Sequence, residues 1–205
     1  SDEAKKEEFK VFSDPAKNDE SRVVALKVGG GNKLTRSQID EYTNFVGKLG
    51  AKGLAYIKIN DVSDIENGLQ SPILKFLSKD FITALFSKLN PINDDLIFFG
   101  AGPSEIVNLS MGSLIKRLGK DLDLYQKDWA PCWIINFPMF ETDADNLKAL
   151  HHPFTRPKDD LENFKKDPSK AQAYAYDLVL NGYEIGGGSL RVHDSKMQSA
   201  IFDAL

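Results

Sequence analysis

The chain has 205 residues, a formal net charge of −4 and 41% hydrophobic residues. That length suits one large domain or two small ones, and the hydrophobic fraction is sufficient for a buried core. The acidic balance argues against a general nucleic-acid binder, which normally carries a basic surface. The single cysteine, Cys132, excludes an internal disulfide framework and a multi-cysteine zinc site.

Two further features concern the class of protein. Cys132 stands in an apolar, strand-like run, which predicts a buried and inert thiol. The charged first ten residues contain no apolar signal core, and no run of about 18 apolar residues is present. We therefore expect a cytoplasmic protein without a membrane span.

Residues 1–118 predict an independent α+β domain in which strands and helices alternate. Thr35 and Gln38 fit a capping box at the start of a helix, and Gly50 is placed to cap its end. The glycine triplet at 29–31 lacks the Gly-Lys-Ser/Thr of a phosphate-binding loop, so a turn is expected there. Strands are predicted at 22–28, 54–59 and 95–99. One face of the first helix is predicted to carry the apolar residues Ile39, Tyr42, Val46 and Leu49.

The remaining helices of this half are predicted from proline and glycine positions. Pro72 suits the first turn of a helical segment that is broken near Ser78. Residues 100–102 are predicted to turn into a second helix, with Pro103 in its first turn and Gly119 beyond its end. The inward side of that helix is predicted to carry Ile106, Met111, Leu114 and Ile115.

The composition of the sequence changes after a polar segment at 119–128. Residues 129–141 are aromatic and strand-like, and residues 173–193 are typical of a hairpin. Asp194 suits the N-cap of a helix that carries Met197, Ile201, Phe202 and Leu205. Because the chain stops inside this helical pattern, we expect a fragment of a longer protein.

The Asn181-Gly182 pair between two strand-like runs predicts a two-residue type I′ turn, which fixes the register of the hairpin. Strict alternation then places cross-strand partners on a common face of the sheet. The predicted partners are Leu180 with Tyr183, Val179 with Glu184, Leu178 with Ile185, and Asp177 with Gly186.

This register makes Asp177 and Glu184 diagonal neighbours on one face. Two carboxylates so placed can share a hard cation, and Mg²⁺ with ATP phosphates is the natural candidate. Gly186 and Gly188 are predicted to continue that face and to leave a clearing for a ligand. Geometry alone leaves a second interpretation open, in which the acids are simply exposed beside a glycine bulge.

Arg191 and the two adjacent histidines complete the candidate site. Strict alternation puts Arg191 on the face opposite Glu184, so we predict a bulge between Gly186 and Gly188 that returns it. An arginine there could bind a carboxylate with two parallel hydrogen bonds, although a surface ion pair is the alternative. His151 and His152 point in opposite directions in an extended strand, which disfavours one metal bound by both.

Several ordered peptides resemble a bacterial-type aspartyl-tRNA synthetase, a class II aminoacyl-tRNA synthetase. The resemblance rests on Phe-Pro-Met-Phe-Glu at 137–141, His-His-Pro-Phe-Thr at 151–155, Ala-Tyr-Asp at 175–177 and the segment 181–191. Upstream, the segments 34–36, 50–58 and 97–101 resemble the GAD domain that is inserted in these enzymes. Together these peptides cover nearly the whole chain.

The resemblance implies an α+β organisation. Residues 1–118 would be a GAD-like insertion with a mixed sheet and helices, and 119–128 a crossover linker. Residues 129–205 would be a partial class II catalytic domain built on an antiparallel sheet. The implied parent enzyme is a homodimer that activates aspartate with ATP and transfers it to tRNA.

The resemblance also implies roles for individual residues. Glu184 would contact ATP and its Mg²⁺, and Asp177 would join it at the metal. Arg191 would bind the side-chain carboxylate of aspartate, while His151 and His152 would line the amino-acid pocket. The residues that would shape the floor of the aspartate and ATP pocket are Ser189, Gly186, Gly187 and Gly188.

The sequence departs from this family at one position and lacks several of its parts. Relatives usually carry Asp where Asn136 stands. The anticodon-binding barrel and the three class II motifs are not in the sequence, so we expect this chain alone to be inactive. Two alternatives remain open: a non-catalytic GAD-type module that binds protein or RNA, and a relative with another specificity, such as an asparaginyl enzyme, against which the bacterial-type insertion argues.

Overall fold

A computed structural model describes residues 2–125, 128–143 and 146–205. The chain divides into two compact units, Ser1–Tyr125 (unit 1) and Gln126–Leu205 (unit 2). Antiparallel sheets and helices occur in both, so the mixed α+β class is confirmed. Among the described helices, none is long and apolar enough to cross a membrane.

Unit 1 is built around an antiparallel sheet with strand order β1-β4-β2-β3. Short 3-10 helices at Asp2–Lys6, Gly31–Lys33 and Leu74–Phe76 supplement its regular elements. Those elements are α1 (Lys10–Lys17), β1 (Ser21–Val28), α2 (Arg36–Gly47), β2 (Ala55–Ile59), β3 (Leu69–Gln70), α3 (Lys79–Leu89), β4 (Leu96–Pro103) and α4 (Ser104–Asp121).

Strand β4 lies between β1 and β2 and carries the centre of unit 1. Its successive side chains enter two cores on opposite faces of the sheet, because side chains alternate along a strand. Ile97 and Phe99 pack with residues of α1 and α3, whereas Leu96 and Phe98 pack with residues of α2 and α4. Helices therefore cover both faces of this sheet.

Local signals in unit 1 are confirmed where they depend on near neighbours. Thr35 and Gln38 form the reciprocal capping box at the start of α2. Gly50 has φ +94°, and the bonds from Gly50 N to Gly47 O and from Ala51 N to Val46 O form a Schellman motif. Only a residue free to adopt positive φ satisfies these carbonyls without strain.

The predicted start and end of the last helix in unit 1 are wrong. Residues 100–102 belong to β4, where they pair with β1, and Pro103 precedes the first helical residue. Gly119 lies inside α4, which continues to Asp121, and Ile115 is 53% exposed. Pro72 lies in a turn, while Ser78 caps α3 through its side chain.

Unit 2 contains an antiparallel three-stranded sheet of order β5-β8-β9 and a separate β6-β7 hairpin. Asp194 caps the last helix by accepting a hydrogen bond from Lys196 N, as predicted. Met197 and Ile201 of that helix pack against Phe140 and Phe164 in the core of unit 2. The elements are β5 (Pro131–Ile135), β6 (Phe140–Asp143), β7 (Asn146–Ala149), α5 (Leu161–Lys166), β8 (Ala175–Leu180), β9 (Tyr183–Ser189) and α6 (Ser195–Ala204).

Two predictions for the start of unit 2 are wrong. The strand expected over 129–141 is interrupted, because Asn136 adopts φ +63° between β5 and β6 and accepts a hydrogen bond from Lys158 Nζ. Cys132 is exposed rather than buried, because all five residues of β5 are exposed. The apolar run indicated a strand but not what would cover it.

Candidate functional site

The β8–β9 hairpin carries most of the candidate site, and its turn is the predicted type. Asn181 and Gly182 have φ values of 52° and 86°, the two positive values that a type I′ turn requires. The Asn181 side chain also accepts a hydrogen bond from Ala130 N and donates one to Asp128 O. The turn is thereby tied to the chain that leads into β5.

A β-bulge interrupts the hairpin close to its turn. Leu180 pairs with Tyr183 and Val179 with Glu184, as predicted. The predicted partners of Leu178 and Asp177 are wrong, because the register shifts between Leu178 and Val179 and leaves Ile185 as the extra residue. Beyond the bulge the pairs are Leu178 with Gly186, and Asp177 with Gly187. The bulge exists, but it lies before Gly186 rather than within the glycine triplet.

Asp177 and Glu184 direct their carboxylates to the same point above Gly187. A Cβ atom built on Gly187 would lie 2.5 Å from Asp177 Oδ1 and 3.2 Å from Glu184 Oε1. Real Cβ atoms essentially never lie as close to another atom as the first distance, so a side chain at position 187 would force the Asp177 carboxylate to shift. The absence of a side chain at Gly187 is what lets the two carboxylates converge.

The bulge also changes the roles of the other two glycines. Gly186 and Gly188 pair with Leu178 and Tyr176, so they lie on the face opposite Asp177. A Cβ on Gly188 would lie 2.8 Å from the Tyr176 hydroxyl oxygen, whereas one on Gly186 would meet no atom within 4 Å. The prediction that these two glycines continue the carboxylate face is therefore wrong, and Gly187 takes that position.

Arg191 reaches the carboxylate face because of the same bulge. Two-residue steps along the chain lead from Gly187 to Ser189 and on to Arg191, which pairs with Thr155 in an isolated antiparallel bridge. Thr155 is 1% exposed, and its hydroxyl donates to Ser189 Oγ at 3.4 Å. Cross-strand partners share a face, so Thr155, Ser189 and Arg191 line the edge beyond Gly187.

The two histidines lie in the turn that leads to Thr155. His151 packs edge-on against the Phe137 ring at a centroid distance of 5.1 Å. Its Nε2 is buried and has no hydrogen-bond partner among the described residues. His152 accepts a hydrogen bond from Phe154 N through Nδ1, and its carbonyl accepts one from Thr155 N. The peptide 151–155 is thus held beside the strand that carries Arg191.

The two carboxylates that converge over Gly187 suit Mg²⁺ better than a metal ion whose ligands all come from the protein. Within the described part of the chain, no group of three or more His, Cys, Asp and Glu residues is placed to hold a metal. Asp177 and Glu184 supply two carboxylates that converge over Gly187. Mg²⁺ commonly uses one or two carboxylates and completes its shell with water and phosphate oxygens. Asp177 and Glu184 are therefore the residues that could hold such an ion.

One contributor to this geometry, Thr155, was not identified from the sequence and was named only as the last residue of its peptide. Gly187 was expected at the ATP pocket, but not as the residue over which the two carboxylates converge. Thr155 pairs with Arg191, which lies 36 positions further along the chain, so the sequence around neither residue indicates this pairing. For Gly187 the available signal was the hairpin turn, but its position relative to Asp177 depends on where the bulge falls.

Comparison with known families finds a match within unit 1. Residues 12–111 match the family model described as GAD domain, and this segment lies entirely within unit 1. GAD domains are found in class II tRNA synthetases, so the match indicates a module associated with those enzymes and suggests ligase parentage. The match does not extend into unit 2, where the carboxylates and Arg191 lie.

Proposed function

We propose that this chain is part of an aspartate–tRNA ligase of the bacterial type. In that reaction the α-carboxylate of aspartate attacks the α-phosphate of ATP, which gives aspartyl-adenylate and pyrophosphate. The aspartyl group then passes to the terminal ribose of tRNA. The GAD-domain match in unit 1 supports a synthetase parent, and the chemistry of unit 2 supports the choice of reaction.

The observation that carries this proposal is the convergence of Asp177 and Glu184 over Gly187, with Arg191 on the same face. Phosphoryl chemistry requires charge neutralisation, and these carboxylates would hold Mg²⁺ against the ATP phosphates. A guanidinium can bind a carboxylate through two parallel hydrogen bonds. Arg191 would therefore select a substrate with an acidic side chain.

The surrounding residues would position the substrates. Ser189 lies between Gly187 and Arg191 on the carboxylate face, where its hydroxyl would shape the pocket floor. His151 and His152 would line the amino-acid pocket next to Arg191. Holding the two reactants in an attack geometry supplies a large part of the rate enhancement in such reactions. Mg²⁺, when bound, would neutralise charge on the phosphates.

One observation favours a second candidate function. The family match lies in unit 1 alone, as it would in a non-catalytic GAD-type module that binds protein or RNA. Such a module has no use for Asp177, Glu184 and Arg191 on one face around Gly187. We therefore rank the ligase first.

The first experiment isolates the native protein from its source with an antibody to this chain and measures aspartate-dependent exchange of pyrophosphate into ATP. We expect exchange that is specific to aspartate, and we expect none from the 205-residue chain alone. Native protein of about the size of this chain that shows no exchange with any amino acid would contradict the proposal and favour the interaction module.

Variants of the parent enzyme test the assignment of Arg191. We expect Arg191→Leu to remove aspartate-dependent exchange by raising the KM for aspartate far more than the KM for ATP, because only the amino-acid contact is lost. Lys196→Leu, at an exposed position in the first turn of α6, is the matched control. Equal aspartate kinetics for Arg191→Leu and the control would refute the role of Arg191.

A further inference from the structure

Unit 1 contains a concave site that the proposed ligase chemistry does not use. It is a cavity of about 560 Å³ between α1, the end of α2, the start of α4 and the sheet. That volume lies within the range of ligand pockets, roughly 300–1,000 Å³. Buried apolar side chains line it, namely Phe12, Val46, Leu54, Phe99, Val107 and Met111.

The polar groups around this cavity are few and carry a net positive charge. Ser110, which is 2% exposed, contributes a hydroxyl whose described hydrogen bond is to Val107 O of its own helix. Exposed Lys10, Lys52 and Asp14 also line the cavity. Among the residues that the structure describes, none of these three charged side chains forms an ion pair within 4.0 Å. The mouth therefore favours an anionic group beside an apolar body.

A free strand edge adjoins the same cavity. Strand β2 begins at Ala55, which pairs with Phe99 of β4. Strand β4 continues to Pro103, and over residues 100–103 its described strand partner is β1 alone. The other edge of this stretch, whose residues line the cavity, has no strand beside it in the described part of the chain. Backbone donors and acceptors on a free edge can pair with an added strand.

We infer that this cavity binds an extended segment of a protein partner that carries a large apolar side chain next to an acidic residue. The strand edge at 100–103 would pair with the backbone of the segment, and the cavity would take the apolar side chain. Lys10 and Lys52 would attract the acidic residue. This combination of a strand edge, a pocket and flanking charge is the arrangement used in strand-addition recognition.

A labelled peptide and the full 205-residue chain test this inference by fluorescence anisotropy. The probe is a short fluorescein-labelled peptide with alternating leucine, valine and phenylalanine between glutamates. We expect saturable binding, weakened by at least about tenfold in Gly53→Phe, a change of roughly 1.4 kcal/mol in binding free energy. Gly53 lines the cavity, and a Cβ there meets no atom within 4 Å, so the added ring can be accommodated at the cavity wall.

Gly112→Phe is the matched control, because a Cβ there also meets no atom within 4 Å but Gly112 does not line the cavity. Circular dichroism checks that both variants fold. Peptide binding that is absent in the wild-type chain, or equal in the two variants, would overturn the inference.

Two further arms separate the contributions of charge and backbone. We expect Lys10→Glu with Lys52→Glu to weaken binding, whereas Lys17→Glu with Lys48→Glu, an equal charge change away from the cavity, should not. A peptide N-methylated on the residues facing the strand edge should lose binding. Undiminished binding of that peptide would show that no strand pairing occurs and would overturn the inference. Neither arm depends on aspartate or ATP.

Discussion

The central sheets of the two units differ in what covers them. In unit 1, Leu96, Ile97 and Phe98 of β4 are completely buried, because helices pack on both faces. In unit 2, Trp133 of β5 is 60% exposed and Tyr183 of β9 is 77% exposed. One sheet is the core of its unit, and the other presents its faces to solvent.

Under the proposed function, the buried sheet of unit 1 would supply stability and the open sheet of unit 2 would supply the binding surface. A strand buried on both faces contributes apolar burial at about 25 cal/mol per Å². An open strand contributes little of that energy, but its carboxylates and glycines remain accessible to a ligand. Asp177, Glu184 and Gly187 lie on the open sheet, where the proposed function would place phosphate and metal.

The sharpest test of this contrast removes one large side chain from each sheet. We expect Phe98→Ala to lower the free energy of unfolding of unit 1 by roughly 3–5 kcal/mol, because it leaves a cavity in a closed core. Ile135→Ala, at a position 59% exposed, should change unit 2 by about 0.5 kcal/mol or less. Hydrogen exchange of β4 and β8 amides in urea reports the units separately. Equal losses would remove the contrast.

A single methyl group tests the open sheet as a binding surface. We expect Gly187→Ala to reduce aspartate-dependent exchange in the parent enzyme on the order of 100-fold, because the methyl displaces the carboxylates from their common point. Gly186→Ala adds the same methyl into open space and should cause the smaller loss. A larger loss for Gly186→Ala would place the site on the other face of the sheet.

Replacement of the buried Asp95 tests whether the hydrogen bonds of its carboxylate stabilise unit 1. Asp95 is 2% exposed and accepts hydrogen bonds from Gly30 N and Ile92 N through its two oxygens. Asp95→Asn turns one acceptor into a donor that faces an N–H group, so we expect a loss of roughly 1–3 kcal/mol in unfolding free energy. Asp94→Asn, at the exposed neighbouring position, is the control. Equal Tm values for the two variants would show that these bonds are not needed.

The smallest expected effect is a loss of stability at alkaline pH. Burial, with the hydrogen bond to Asp121, raises the pKa of Tyr42 to about 12 from its usual 10.0. Below pH 10 the Tyr42 hydroxyl keeps its proton in both the folded and the unfolded state. Between pH 10 and 12 the hydroxyl loses its proton in the unfolded state while the folded state retains it. Stability of unit 1 should therefore fall as pH rises through this window. Tyr42→Phe should show a shallower decline in urea midpoint, and parallel declines would count against this linkage.

Predictions from sequence succeeded where a few adjacent residues determine the geometry. The capping box at Thr35, the Schellman glycine at Gly50 and the type I′ turn at Asn181 each depend on hydrogen bonds within one turn. Propensity was misleading at residues 100–102, where glycines that suggest a turn instead continue β4 because β1 pairs with them. Pairing with a distant strand outweighed the local preference.

The candidate site was predicted in composition but not in full arrangement. The convergence of Asp177 and Glu184 follows from the turn, whereas the position of the bulge depends on packing across three strands. The exposure of Cys132 could not be predicted either, since an apolar strand has the same sequence whether or not a layer covers it. Thr155 became important only through its long-range bridge to Arg191.

The extra residue in β9 exchanges the faces of the sheet that even-numbered and odd-numbered side chains occupy. Before Ile185 even-numbered positions such as Glu184 face the carboxylate side, and after it odd-numbered positions such as Gly187 and Arg191 do so. The residues before and after Ile185 thereby contribute side chains to the same face, from even-numbered and odd-numbered positions respectively. Regular pairing of Ile185 would carry Arg191 to the far side of the sheet, whereas deletion of Ile185 would leave six positions between Glu184 and Arg191 and keep both on one face.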